Sequence, residues 1–156
     1  MIVCVNKFGG VFVGVKLDGR AFADKLQEEL KQEVATWKEN GKRLPKLVVI
    51  LVGEDVGSQV YVRNKERAAK KIGFYSQIDR LSDEVTEAEL LERIQQYNND
   101  PEVDGILVQL PLPKHIDEEK VILTIDSKKD VDGFHPMNMG KLFIGKPDKM
   151  PCTPYG

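Results

Sequence analysis

The sequence predicts an α/β fold with three layers, helix–sheet–helix, built on a mostly parallel sheet. Two observations carry this. Leu47–Val52 and Ile106–Val108 are short, unbroken apolar runs rich in β-branched residues, the signature of strands buried on both faces. Around them lie segments with apolar residues at helical spacing, so strands alternate with helices as βαβ crossovers require. At 156 residues the chain is long enough for one domain with a core of its own.

Residues 1–16 are expected to form an N-terminal arm, extended where GGVFVGVK alternates weakly over 9–16. Asp18 then offers an N-cap, and Phe22, Leu26, Leu30, Val34 and Trp37 recur at helical spacing until Asn40-Gly41 supplies a left-handed cap. Pro45 breaks the chain before the central strand Leu47–Val52. After Gly53-Glu54-Asp55-Val56-Gly57 a second helix is expected to begin near Ser58 and end at Gly73. Phe74–Leu81 follows as a more polar strand, expected nearer an edge. Thr86-Glu87-Ala88-Glu89 is a capping box, opening a helix with Leu90, Leu91, Ile94 and Tyr97 on one face.

The turn Asn99-Asp100-Pro101 leads into the Ile106–Val108 strand, which must stop at Pro111 and Pro113 because proline cannot donate to a ladder. Ile116-Asp117-Glu118-Glu119 starts a short helix carrying Val121, Ile122 and Ile125; a loop spans 126–133 and a helical turn is expected within 137–144. At the end, Thr153-Pro154 reads as a helix start with Thr as N-cap and Pro at N1, so 151–156 is expected to lead out of the domain toward a further one.

The net charge of −2 suggests no broad attraction to nucleic acid or membrane, and no apolar run approaches the length of a membrane span. Cys4 and Cys152 lie at opposite ends without CxxC spacing, which fits a reducing compartment and speaks against a disulfide framework or zinc site. Met1–Val5 is apolar but short and lacks a preceding basic region, unlike a signal or transit peptide.

On a helical wheel the second helix places Arg63, Glu66, Arg67, Lys70 and Lys71 on one side and Val62, Ala68, Ala69 and Ile72 on the other. Ser58, Tyr61 and Lys65 fall on the apolar side, so Lys65 is a charge on the wrong face. Either its stem packs while the ammonium escapes to water, or the amine is held half-buried near the helix N-terminus. There, desolvation and the helix dipole favour its neutral form and it can exchange a proton near neutral pH. Tyr61, one turn earlier, is either an ordinary core tyrosine or a flat face for an aromatic ligand.

Gln109 sits where a buried strand leaves the sheet, on the carboxyl edge where open α/β sheets bind ligands. It is either a loop amide capping a neighbour or a ligand-side group, and Lys65 is expected on the same rim. Lys129-Asp130-Val131-Asp132-Gly133-Phe134-His135 places two carboxylates two apart. Two Asp and one His in one loop fall short of a divalent-cation site; at least one Asx-turn is expected. A carboxylate pointing inward accepts two parallel N–H bonds from an aminopyrimidine-like edge. His135, before Pro136, is expected to be structural. Gly9-Gly10…Gly14 is not GxGxxG and no GxxxxGK[ST] occurs, so the chain carries no dinucleotide fingerprint.

Tyr61-Val62-Arg63-Asn64-Lys65, the run Asp104–Pro113 (DGILVQLPLP), Lys129-Asp130-Val131-Asp132-Gly133 and Pro151-Cys152-Thr153-Pro154 together resemble the methylenetetrahydrofolate dehydrogenase/methenyltetrahydrofolate cyclohydrolase family, in order and from about Leu17 to Gly156. The Tyr61–Lys65 segment and Gly133-Phe134-His135 look closest to its mitochondrial bifunctional branch. The resemblance implies a folate-binding catalytic domain over 17–150. It implies that 151–156 starts a linker helix to a Rossmann-type NAD or NADP domain absent from this chain, whose selecting residues would lie beyond Gly156.

By the same resemblance Lys65 is the catalytic lysine, Tyr61 stacks on the aminobenzoyl ring, Gln109 tunes Lys65, and Asp132 holds the pterin edge with Asp130 structural. Val108 and Leu110 join the tetrahydrofolate-binding surface. No metal is needed for that chemistry. The resemblance further implies a role in one-carbon metabolism, a homodimer for the full-length protein, and a mitochondrial location with a cytoplasmic one as the alternative. The rival expectation is a non-catalytic folate-binding or dimerisation fragment.

Overall fold

The structure is a computed structural model describing residues 18–151, together with the backbone of Ile2–Val5 and Val11–Gly14. In chain order the elements are β1 (Ile2–Val5), β2 (Val11–Gly14), α1 (Gly19–Glu39), β3 (Lys46–Val52), α2 (Val56–Ile72), β4 (Tyr75–Leu81), α3 (Glu87–Asn99), β5 (Gly105–Val108), α4 (Glu118–Thr124) and α5 (Pro136–Phe143).

β3 is the centre of a parallel three-stranded sheet in the order β4-β3-β5, with Val49 opposite Ile78 on one side and Leu107 on the other. Its all-apolar sequence is what a strand covered on both faces needs. Val48, Ile50 and Val52 turn to one face and pack with Leu90, Ile94 and Tyr97 of α3, and with Val121 of α4. Val49 and Leu51 turn to the other face and pack with Val62 of α2. The period-2 alternation of β3 thus builds the three layers. The polar β4 lies at an edge, where Gln77 and Asp79 share the Tyr97 hydroxyl; burial and the Asp79 carboxylate push that phenol up to about 12.

Within the N-terminal arm of residues 1–16, the described residues form β1 and β2, paired antiparallel with Ile2 opposite Gly14. The expected helix start at Thr153-Pro154 lies outside the described residues. α2 begins two residues earlier than Ser58, because Asp55 is its N-cap and accepts from the Ser58 amide at 2.7 Å. It ends as expected at Gly73 (φ +102°). The α1 stripe does not bury as its spacing suggests. Val34 is buried against the body of the protein, whereas Phe22 is 63% exposed and Leu26 and Leu30 are exposed as well.

Two features place the 126–135 loop. Lys129 Nζ donates to the carbonyls of Tyr97 (2.9 Å), Asn98 (2.8 Å) and Asp100 (2.7 Å), closing the C-terminal end of α3 with a cation. The Ile106 amide then donates to the Lys129 carbonyl at 2.8 Å, and Asp130 forms a parallel bridge to Ile106. Gly105 is required here: a Cβ at that position would meet Val131 Cγ1 at 2.5 Å.

Candidate active site

The site lies where β3 and β5 leave the sheet. The ladder runs one residue past β5, with the Gln109 amide donating to the Ile50 carbonyl at 2.9 Å, before the chain turns away through Leu110 and Pro111. The Gln109 side chain is oriented by its own neighbour: Nε2 donates to the Leu110 carbonyl at 2.8 Å, so Oε1 faces the other way. Lys65 Nζ donates to that Oε1 at 3.3 Å. The structure therefore brings the wrong-face lysine of α2 and the strand-end amide together, with both side chains half-buried.

Ser58, in the first turn of α2 and buried, sends its hydroxyl toward the same Leu110 carbonyl at 3.5 Å. It ties the helix that carries Lys65 to the rim that carries Gln109. Tyr61 is 65% exposed, so the core-tyrosine alternative does not hold and one face of the ring is open to a ligand. The amphipathic pattern misplaced it because a wheel assigns direction around the helix but not whether a neighbouring layer reaches that turn.

The two aspartates have different fates. Asp130 is 4% exposed and faces inward to its own loop. Asp132 is half-buried and stands across from Lys65. Burial raises its carboxyl above the ordinary range, the Lys65 charge pulls it back down, and the Asp130 charge pushes it up again. Asp132 shares a narrow cleft with Val108, Leu110 and Phe134. That cleft holds only about 20 Å³, so a flat ligand would lie along the open rim above it. A roomier cavity of about 470 Å³, lined by Leu81, Glu84, Glu89, Glu92 and Arg93 among others, includes none of the four candidate residues.

An amine, a neutral acceptor and a half-buried carboxyl thus meet on one edge, with the exposed Tyr61 one turn before the amine on α2. Such a set can hold a planar, N–H-bearing heterocycle and move a proton beside it. The N-terminus of α2 is taken up by its own cap: Asp55 accepts from the Ser58 amide, putting a carboxylate where a pyrophosphate would seek free N–H groups. Sequence reasoning missed Asn138, which is 2% exposed and hydrogen-bonded to Asp130. The available signal was an amide between Met137 and Met139 in an otherwise apolar helical turn. Among the described residues, no helix is long and apolar enough to cross a membrane.

A family model described as tetrahydrofolate dehydrogenase/cyclohydrolase, catalytic domain, matches residues 17–132. The bifunctional protein FolD of Enterococcus faecalis is 59% identical over 140 residues, covering 90% of this chain and 50% of that protein. The crystal structure of the bifunctional FolD dehydrogenase/cyclohydrolase from Campylobacter jejuni superposes with a TM-score of 0.85 at 45% identity, covering 88% of this chain and 49% of that one. The Trypanosoma brucei dehydrogenase-cyclohydrolase, complexed with NADP cofactor and inhibitor, gives 0.84 at 38% identity, covering 90% and 48%.

This chain therefore spans about half the length of the relatives it matches. The mitochondrial expectation is corrected by the same comparison. The E. faecalis relative and similar proteins from Streptococcus thermophilus come from bacteria, which have no mitochondria; this overturns the mitochondrial expectation and favours the cytoplasmic alternative. The match over 17–132, on a fold shared with solved enzymes of the same description, shows that the chain belongs to the tetrahydrofolate dehydrogenase/cyclohydrolase catalytic-domain family.

Proposed function

We propose that residues 17–150 form the folate-binding catalytic domain of a methylenetetrahydrofolate dehydrogenase/methenyltetrahydrofolate cyclohydrolase. The observation that carries this reading is the 3.3 Å contact between Lys65 Nζ and Gln109 Oε1, with Asp132 across from the amine. In the cyclohydrolase step water attacks the cationic methenyl carbon that bridges two nitrogens of the folate. Lys65 takes the proton that water must lose and passes it to the nitrogen that departs; the remaining hydroxyl proton leaves to solvent as the bridge opens and its carbon becomes a formyl group. Gln109 accepts from Lys65 throughout and keeps the amine aimed at the bridge. Asp132, ionised, takes two parallel N–H bonds from the aminopyrimidine edge of the pterin. Tyr61 stacks on the aminobenzoyl ring, and Val108 and Leu110 form the apolar floor.

The dehydrogenase half passes a hydride from methylenetetrahydrofolate to NAD or NADP. We infer that the NAD or NADP site belongs to the half of the relatives' length that this chain does not span. The test is the ultraviolet absorbance of methenyltetrahydrofolate with the protein present. Decay faster than in buffer, lost in Lys65→Met with folding intact, is the expected result. Folate binding without accelerated decay would make the chain a non-catalytic folate-binding module instead.

A further inference from the structure

Asp130 and Asn138 are buried polar side chains in direct contact, Asn138 Nδ2 donating to Asp130 Oδ2 at 2.8 Å. Among the described residues, every donor on Asp130 comes from the stretch around Asp132 or from the helix that follows it. Oδ1 accepts from the Asp132 amide (3.2 Å) and the Gly133 amide (3.0 Å). Oδ2 accepts from the His135 amide (2.9 Å) and from Asn138. Asn138 Nδ2 also donates to the Ser127 carbonyl at 2.9 Å, so one amide nitrogen bridges the start of the loop and its middle. The other end is fixed by the bridge between Asp130 and Ile106 of β5.

We propose that Asn138, acting through Asp130, is a positioning residue that sets the Asp132 carboxylate opposite Lys65. This rests on the reading of Asp132 as the folate-binding carboxylate. The physical reasoning is direct. A buried carboxylate with four donors organises the peptide that supplies them. Three are backbone amides of residues 132–135, so the direction of Asp132 is decided by where the Asp130 oxygens sit.

Asn138 is the side-chain contact that holds one of those oxygens from outside the turn. Without it Oδ2 keeps only the His135 amide among these partners and the Ser127 carbonyl loses its side-chain donor. The loop then relaxes to find water, and Asp132 swings with it. The charges facing this cluster are Lys65 from α2 and Lys149 from the segment after α5. Burial pushes the Lys149 amine down, while Asp130, Asp126 and Asp148 push it back up.

The test is a double-mutant cycle on folate affinity, read by calorimetric titration with 5-formyltetrahydrofolate against wild type, Asn138→Ala, Asp132→Asn and the pair. Asn138→Ala should weaken binding roughly 10-fold in the wild-type background and less than about 2-fold once Asp132 is Asn, because the two act as one unit. Unchanged affinity in the single variant, or losses that multiply, overturns the inference, since a purely structural residue gives multiplicative losses. A second readout does not depend on folate: the carboxyl carbon of Asp132, titrated by NMR, should have its midpoint move down toward the ordinary range in Asn138→Ala. If wild type binds no folate, the functional reading falls by itself, and an unmoved midpoint then overturns the positioning role separately. Should Asn138→Ala not fold, Asn138→Ser, which keeps one donor, enters the same cycle with the same criteria.

Discussion

Lys65 and Gln109 meet across the carboxyl edge of the sheet at 3.3 Å, and the amide can accept only because its nitrogen is already held 2.8 Å from the Leu110 carbonyl. An amide that can flip offers the lysine a donor as readily as an acceptor; this one cannot. Gln109→Met fills similar space without hydrogen bonding. It should lower cyclohydrolase turnover by roughly 10- to 100-fold while leaving urea-unfolding stability within about 1 kcal/mol, because the side chain is only half-buried. A turnover rate equal to wild type would remove Gln109 from the reaction.

The Asp132 carboxyl gives a pH signature whose sign follows from its cause. Burial raises it in the folded state, so the folded protein holds this proton more tightly than the unfolded chain does. Its contribution to stability is therefore fully present below the ordinary carboxylate range and declines as pH rises through the folded midpoint. Asp132→Asn removes the decline. At neutral pH its melting temperature should exceed wild type by roughly 1–3 °C, and the gain should vanish near pH 3 as both forms become neutral. Folate affinity should fall in the same variant, a stability gain coupled to a functional loss.

Lys129 caps α3 through three convergent carbonyls, a geometry suited to the three hydrogens of an ammonium. Lys129→Met should cost about 1–3 kcal/mol in chemical denaturation. Lys129→Arg should not restore it, since a planar fork cannot serve three acceptors gathered around one point. Full rescue by arginine would mean that charge alone matters there.

Gly105→Ala should destabilise by roughly 1–3 kcal/mol through overpacking, because the added methyl would sit 2.5 Å from Val131 Cγ1. Adding Val131→Ala should recover much of that loss, as it deletes the clashing atom. The pair is a direct check, by thermal melting, that β5 and the aspartate loop are packed as described.

Much of this was legible in the sequence. Leu47–Val52 announced a central strand by having no polar residue to put in water, and Thr86 and Glu89 form both bonds of the expected capping box. Lys65 stood out because helical periodicity assigns each position a face. The exposed run Phe22, Leu26 and Leu30 shows the limit of that rule: spacing says which residues share a side, not whether anything packs against it. Asn138 was illegible for a different reason. Its partners, Asp130 and Ser127, are reached through a turn whose path depends on hydrogen bonds that no local pattern encodes.

The saturation of Asp130 also sets how freely this pocket can be redesigned. With four donors already on its oxygens, that carboxylate has nothing left to offer a guest molecule. A protein engineer seeking a different heterocycle has one acid of the doublet to vary, at position 132. Altering its twin would rebuild the wall before it changed the lock.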